Sequence, residues 1–156
     1  MATEQKKLEN QSRIAEVMLI ALAAAVWDFV GESAAALGPQ IGEEILNLLE
    51  KEMGIEIAGE KPEDVLTELG RVFVDELGLA TAMEVKREGN CLMLIASNLT
   101  TTNGMKKLQE RGVTKDFISP PLNTGLAALK RISVKARGEA MPTAKPGDIV
   151  FKFDLL

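Results

Sequence analysis

"AMEVKREGNCLMLIA", residues 82–96, is where the periodicity of the chain switches to two. Met83 and Val85 alternate with Glu84 and Lys86, the pattern of a strand with one buried face. Glu88-Gly89-Asn90 supplies turn chemistry. Cys91 to Ala96 is then apolar on both faces, as in a strand covered on both sides. The stretch predicts a β-hairpin. A second pair of strands is predicted near the C-terminus. There Ile132, Val134 and Ala136 alternate with Ser133, Lys135 and Arg137, and Ile149, Phe151, Phe153 and Leu155 alternate with Val150, Lys152 and Asp154. The connection "GEAMPTAKPGD" (138–148) is rich in turn residues.

Upstream of the hairpin the pattern is helical. "EKPEDVLTELGRVFVDELG" (60–78) opens on Pro62, sets Glu63 and Asp64 in the first turn, turns Val65, Leu66, Leu69, Phe73 and Leu77 inward and stops at Gly78. In "LGPQIGEEILNLLEKEMG" (37–54), Gly38-Pro39 ends one helix and starts the next, whose inner face is Ile41, Ile45, Leu48, Leu49 and Met53. The first helix, from near Ser12 to the Ala34–Ala36 region, contains "VMLIALAAAVW" (17–27). It is apolar nearly all round, which makes it central to the fold or shared with another subunit. Residues 1–12 are expected as a flexible N-terminal segment and 13–156 as a single domain. Between the hairpins, short helices are expected around Met105–Leu108 and Leu126–Lys130. Helices, hairpin, helices, hairpin is the order of an α+β fold: an antiparallel sheet of about four strands with helices packed against it and a long apolar N-terminal helix.

Composition narrows the function. The 156 residues are 46% hydrophobic but only 4% aromatic, so the core is aliphatic. The net charge of −5 disfavours nucleic-acid binding. Residues 1–104 hold 8 basic and 18 acidic side chains and residues 105–156 hold 10 and 5, which gives two oppositely charged surfaces. No secretory signal is read, and the single Cys91 fits a reducing cytoplasm. At about 16 Å the apolar run 17–27 covers roughly half a hydrocarbon layer, and Glu16 and Asp28 bracket it, so no membrane span is expected.

Little in the chain could do chemistry. Absence of histidine removes His-based triads, His-ligated haem and the commonest zinc sets. No glycine pattern cradles phosphate. No cofactor, metal or catalytic residue is assigned. The acidic pairs Glu43-Glu44, Glu50/Glu52 and Asp75-Glu76 lie on amphipathic helices and read as solvated faces. Cys91 reads as a small buried hydrophobe. The hydroxyls of "SNLTTTNG" (97–104) read as caps for the helix starting near Thr102 or Asn103. Lys130, Arg131, Lys135 and Arg137 form a basic group at a helix end and the next strand, either ordinary dipole-compensating cations or an anion contact.

Four stretches, "LGPQIGEEI" (37–45), "PEDVLTELGRVFVDELGLATAMEV" (62–85), "PPLNTGLAAL" (120–129) and "PGDIVFKFDL" (146–155), occur in an order that resembles the 4-vinyl reductase domain family of predicted hydrocarbon-binding proteins. That family is similar in fold to the TRAPP vesicle-tethering subunits and to haem nitric oxide sensors. The resemblance covers about residues 14 to 155 and rests mainly on glycine and hydrophobic spacing. It implies the fold, a homodimer and an apolar pocket between helices and sheet. Many members carry cysteines where this chain has Ser119-Pro120-Pro121 and "ARGEAMPTAKPGD", so no metal-linked or redox function carries over.

Two functions follow. The first is a non-enzymatic, dimeric, cytoplasmic binding domain for a hydrocarbon-like or lipid-like molecule, with Met18, Leu22, Trp27, Phe73, Met93 and Phe117 as candidate pocket residues, although for each one taken singly ordinary core packing is the favoured reading. The second is a protein–protein interaction or dimerisation module with no small ligand. An enzyme using Cys91 or a pocket carboxylate is the least favoured reading.

Overall fold

The computed structural model describes residues 1–156. Thr3 caps helix α1 (Glu4–Val30) by accepting from the Lys6 N–H at 3.2 Å, so the helix starts well before Ser12 and takes in most of the segment expected to be flexible. It ends at Gly31, whose φ of 60° only glycine adopts freely. A 3₁₀ segment, Gly31–Leu37, leads into α2 (Gly38–Met53), which opens with proline and closes on left-handed Gly54. Helix α3 (Pro62–Arg71) has Glu63 and Asp64 in its first turn and Arg71 in its last, both favoured by the helix dipole. It widens into a π turn, Val72–Glu76, that keeps Val72 and Phe73 in the core.

The predicted hairpin forms as strands β1 (Ala82–Glu88) and β2 (Cys91–Ser97) around a two-residue Gly89-Asn90 turn, with Glu88 opposite Cys91. Helices α4 (Thr102–Glu110) and α5 (Pro120–Arg131) follow, then β3 (Ala136–Pro142) and β4 (Ile149–Leu155). The sheet is four-stranded and antiparallel, in the order β1-β2-β4-β3. The α+β architecture is therefore as expected. Two details differ. Residues 132–135 close off α5 instead of beginning a strand, so β3 starts at Ala136 and takes in "GEAMP". And β2 is covered on one face only: Leu92, Leu94 and Ala96 are buried, while Cys91, Met93 and Ile95 look outward from a bare sheet face and are half-buried by their neighbours alone.

The main core lies between the inner sheet face (Leu92, Leu94, Ile149, Phe151, Phe153) and Leu66, Leu69, Phe73, Leu122 and Leu129 of the helices. A small cluster of Leu46, Val65, Ala127 and Ala128 joins α2, α3 and α5. A third cluster, Ala23, Ala24, Ala34, Leu108, Val113 and Phe117, holds α1 to α4 and the loop after it. Contrary to its expected central place, α1 is attached by this one strip. Only Ala23 and Ala24 are buried on it, while Leu22 is 63% and Phe29 91% exposed. The central helix is α5.

Candidate functional site

Where α1 leaves α4, an open groove of about 590 Å³ runs between them. Leu19 and Ile20 wall it from α1, Gly104 and Met105 from α4, and Leu79, Ile118 and Pro120 close its far side. Gly104 sets its width: a methyl group there would stand 3.5 Å from Ile20 Cδ1 and 3.6 Å from Glu16 Oε1, so the helices approach closely with no side chain between them. Polar character is sparse. Helix α4 begins at Thr102 as expected, yet no side chain caps it, and the Thr101 hydroxyl on the groove wall is buried without a hydrogen-bond partner. The Ser119 hydroxyl, also on the wall, is likewise buried without a partner, and the Glu16 carboxylate borders the α1 side. A mainly apolar trough with two unsatisfied hydroxyls suits a largely hydrocarbon ligand with a small polar end.

The six residues expected to line a pocket are not brought together. Met18 and Leu22 point to solvent from the open side of α1. Trp27 and Phe117 stack on one another, with ring centres 6.4 Å apart and planes 19° apart, inside the filled α1–α4 cluster. Phe73 is buried in the main core and Met93 lies on the outer sheet face. The groove's own walls, Leu19, Ile20, Leu79, Met105 and Ile118, had no distinguishing mark beyond being apolar.

The basic group also separates. Arg131 is consumed by a clamp between α5 and α2: it donates to Glu43 (2.7 Å), to Asn47 (2.9 Å) and to Glu50. Glu43 and Glu50 are thus ion-pair partners, more than the solvated face expected. Lys130 and Lys135 border a cleft of about 680 Å³ beside α5, and Arg137 sits on the outer sheet face opposite Asp154. Burial pushes the Cys91 thiol up, and the neighbouring Asp154 carboxylate adds to this, so the group is a poor nucleophile at neutral pH. Asp116, in the loop before α5, is likewise raised by burial, against the opposing hydrogen bonds from the Ile118 and Ser119 amides. No cluster of three or more Cys, Asp or Glu side chains is arranged to hold a metal.

By length and composition the α1–α2 region could also cross a bilayer. It holds an 18-residue window of mean hydropathy 1.9, of which 11% is buried. The expectation of no span rests on the shortness of the run 17–27 and on Glu16 and Asp28, not on burial.

No family model matches the chain, and no curated protein matches it in sequence. Among solved structures it is similar to a trafficking protein particle complex subunit 3 from Naegleria fowleri covalently bound to palmitic acid. The two share 8% sequence identity with a TM-score of 0.60, over 92% of this chain and 96% of that one. This chain therefore has a fold like that of a TRAPP subunit.

Proposed function

We propose that this chain is a non-enzymatic binding domain for a fatty-acyl-like molecule, held in the α1–α4 groove, and that it works as a dimer with α1 in the interface. The carrying observation is the groove. Its volume of about 590 Å³ falls within the usual range for small-ligand sites, and its walls are mainly aliphatic. Palmitic acid on the neighbouring fold supports the choice of ligand class. In this chain the ligand is held non-covalently, because the only cysteine lies on the outer sheet face with its thiol pushed up. The same reading sets the chain beside the hydrocarbon-binding 4-vinyl reductase domains that its sequence resembles, in a reducing cytoplasm.

The test uses purified full-length protein and palmitic acid. Native mass spectrometry compared with the denatured mass is expected to show one non-covalent adduct per chain. Gly104→Leu places a side chain in the trough and is expected to abolish the adduct while leaving the circular dichroism unchanged. Equal binding by wild type and G104L, or none by wild type, would overturn the ligand assignment.

A second reading, an interaction module with no ligand, is favoured by a specific observation. Ile14, Met18, Leu22 and Phe29 form an exposed apolar stripe along α1, and a contiguous patch of this kind marks interaction surfaces. Leu22→Glu is expected to convert the dimer to monomer by light scattering. Retention of the dimer in L22E, or flotation of wild type with phosphatidylcholine vesicles in place of self-association, would remove α1 from the interface.

A further inference from the structure

β3 is a free edge of the sheet, and two hydrogen bonds show how its backbone is turned. The Leu156 N–H donates to the Lys135 carbonyl at 3.0 Å, and the Thr143 N–H donates to the Asp148 carbonyl at 3.3 Å. Both extend the register that sets Ala136 opposite Leu155. Bonded and non-bonded residues alternate in an antiparallel ladder. Arg137, Glu139 and Met141 therefore turn their peptide groups toward β4. Ala136, Gly138 and Ala140 turn theirs outward, where no hydrogen bond of the chain outside its regular elements uses them. Three consecutive outward N–H and C=O pairs are a template for another strand.

The surroundings leave room for one. The 680 Å³ cleft borders Ala136, and a second of about 520 Å³ borders Gly138 and Ala140; both share Pro39 and Leu126, so the two lie side by side along the edge. Side chains at the outward-bonding positions are two alanines and a glycine, which do not obstruct approach.

Charge selects the occupant. Arg137 and Glu139 stand on the outer face opposite Asp154 and Lys152 of β4, and neither forms a direct ion pair in the chain. A second β3 laid antiparallel about Gly138 would set Arg137 of each copy against Glu139 of the other. It would set Ala136 against Ala140, and the row Asp154, Arg137, Glu139, Lys152 would alternate in sign across the seam. A parallel strand in register would set arginine against arginine, which is unfavourable. We propose that β3 pairs with β3 of a second copy, joining two four-stranded sheets into one of eight strands. This goes beyond the proposed function, because no residue of α1 borders either cleft. Two isologous faces on one chain give a tetramer or a longer array.

Sedimentation velocity of the full chain over a concentration series tests this, with circular dichroism as the fold control. Arg137→Glu and Glu139→Arg are each expected to weaken the β3 association by about tenfold or more, since both symmetric pairs become like-charged. The double exchange R137E/E139R is expected to restore it. Ala140→Pro removes an outward N–H without touching the ladder to β4, and is also expected to dissociate this interface. L22E removes only the α1 contact, so a failed α1 reading and a failed β3 reading give different masses. The proposal is overturned if R137E, E139R and A140P all leave the mass of wild type unchanged, or if the double exchange fails to restore what the single changes lose.

Discussion

Helices α1 and α5 reverse the usual association of hydrophobicity with burial. α1 carries the greasiest run in the chain, yet it buries only two alanines. α5, "PPLNTGLAALKR", is far less apolar, yet Pro121 to Gly125 and Ala127 to Leu129 are all buried, two polar side chains among them. The difference is size and satisfied polarity. α5 is touched by α2, α3 and the sheet at once, and only small residues let three neighbours come that close. The Phe153 ring stands where a Gly125 side chain would be, and the Asn123 carbonyl lies against Gly42. The buried Asn123 side chain donates to the Phe117 carbonyl at 2.8 Å, and Thr124 bonds back to Pro120, so neither polar group is left unpaired. α1 follows the same rule where it docks, on Ala23 and Ala24. Ile20, Val26 and Trp27 flank that strip, and Ile14, Met18, Leu22 and Phe29 stay exposed on the open side.

The contrast breaks most visibly in stability. Phe153→Ala, beneath α5, is expected to cost about 3–5 kcal/mol in urea unfolding, through lost transfer energy and the cavity left behind. Leu22→Ala on α1 is expected to stay within about 0.5 kcal/mol when measured dilute enough to keep the chain monomeric. Similar costs at the two sites would mean that α1 is packed within the chain after all.

A single methyl sharpens the point. Built on Gly42, it would lie 2.0 Å from the Asn123 carbonyl oxygen, a distance that rotation of a side chain cannot relieve. Gly42→Ala is expected to cost about 1–3 kcal/mol by pushing α2 off α5. Gly104→Ala, at the α1–α4 contact, meets only ordinary contact distances and is expected to be neutral or stabilising.

How far this contrast could be read beforehand depends on how local its cause is. The hairpin at 82–96, strand β4 and the openings of α2 and α3 announce themselves through alternation, Gly89-Asn90 and prolines, all within a few residues. The position of α1 depends on Leu108, Val113 and Phe117, some ninety residues on by sequence number, and nothing in residues 17–27 says which side they will cover. Likewise Arg131 meets Glu43 and Glu50 across the α2–α5 packing, so its cluster looked like free cations. Gly104 leaves no such signal either: the α1–α4 groove lies where a side chain is lacking, and bulky residues such as Trp27 and Phe117 fill the contact beside it.

Acid titration separates helix-surface ion pairs from the buried loop. The Arg87 side chain holds the Glu63 carboxyl below its usual range, and Arg71 does the same for Glu68. Lowered carboxylates contribute stability above their unfolded values, and that stability is lost as pH falls through the lowered ones. Asp116 has the opposite sign. Raised by burial, it favours folding only while protonated and loses that contribution as pH rises. Asp116→Asn is therefore expected to raise the Tm at pH 7 and to leave it unchanged near pH 3, below the ordinary carboxylate range. A gain of equal size at both pH values would mean that the carboxylate's charge is not the cause.

A small effect concerns how α5 ends, which is also why strand β3 begins later than its alternating pattern implied. At the close of α2, the Gly54 N–H bonds the Glu50 carbonyl and the Ile55 N–H reaches the Leu49 carbonyl, with Gly54 left-handed. At the close of α5, the Ser133 N–H bonds the Lys130 carbonyl and the Val134 N–H reaches the Leu129 carbonyl, at 2.9 and 3.0 Å. Here the left-handed residue, with φ 65°, is a serine. Without glycine the helix end carries no mark, and Ile132, Val134 and Ala136 pass for a strand. Serine also bears the steric cost of that conformation. Ser133→Gly is expected to raise stability by about 0.5–1 kcal/mol in urea, after allowing for glycine's greater freedom when unfolded. The matching change at α2, Gly54→Ser, is expected to lower it by a similar amount. If S133G instead destabilises, residue 133 does not rest in the left-handed region, and the helix–strand junction that sets the start of β3 must be drawn differently.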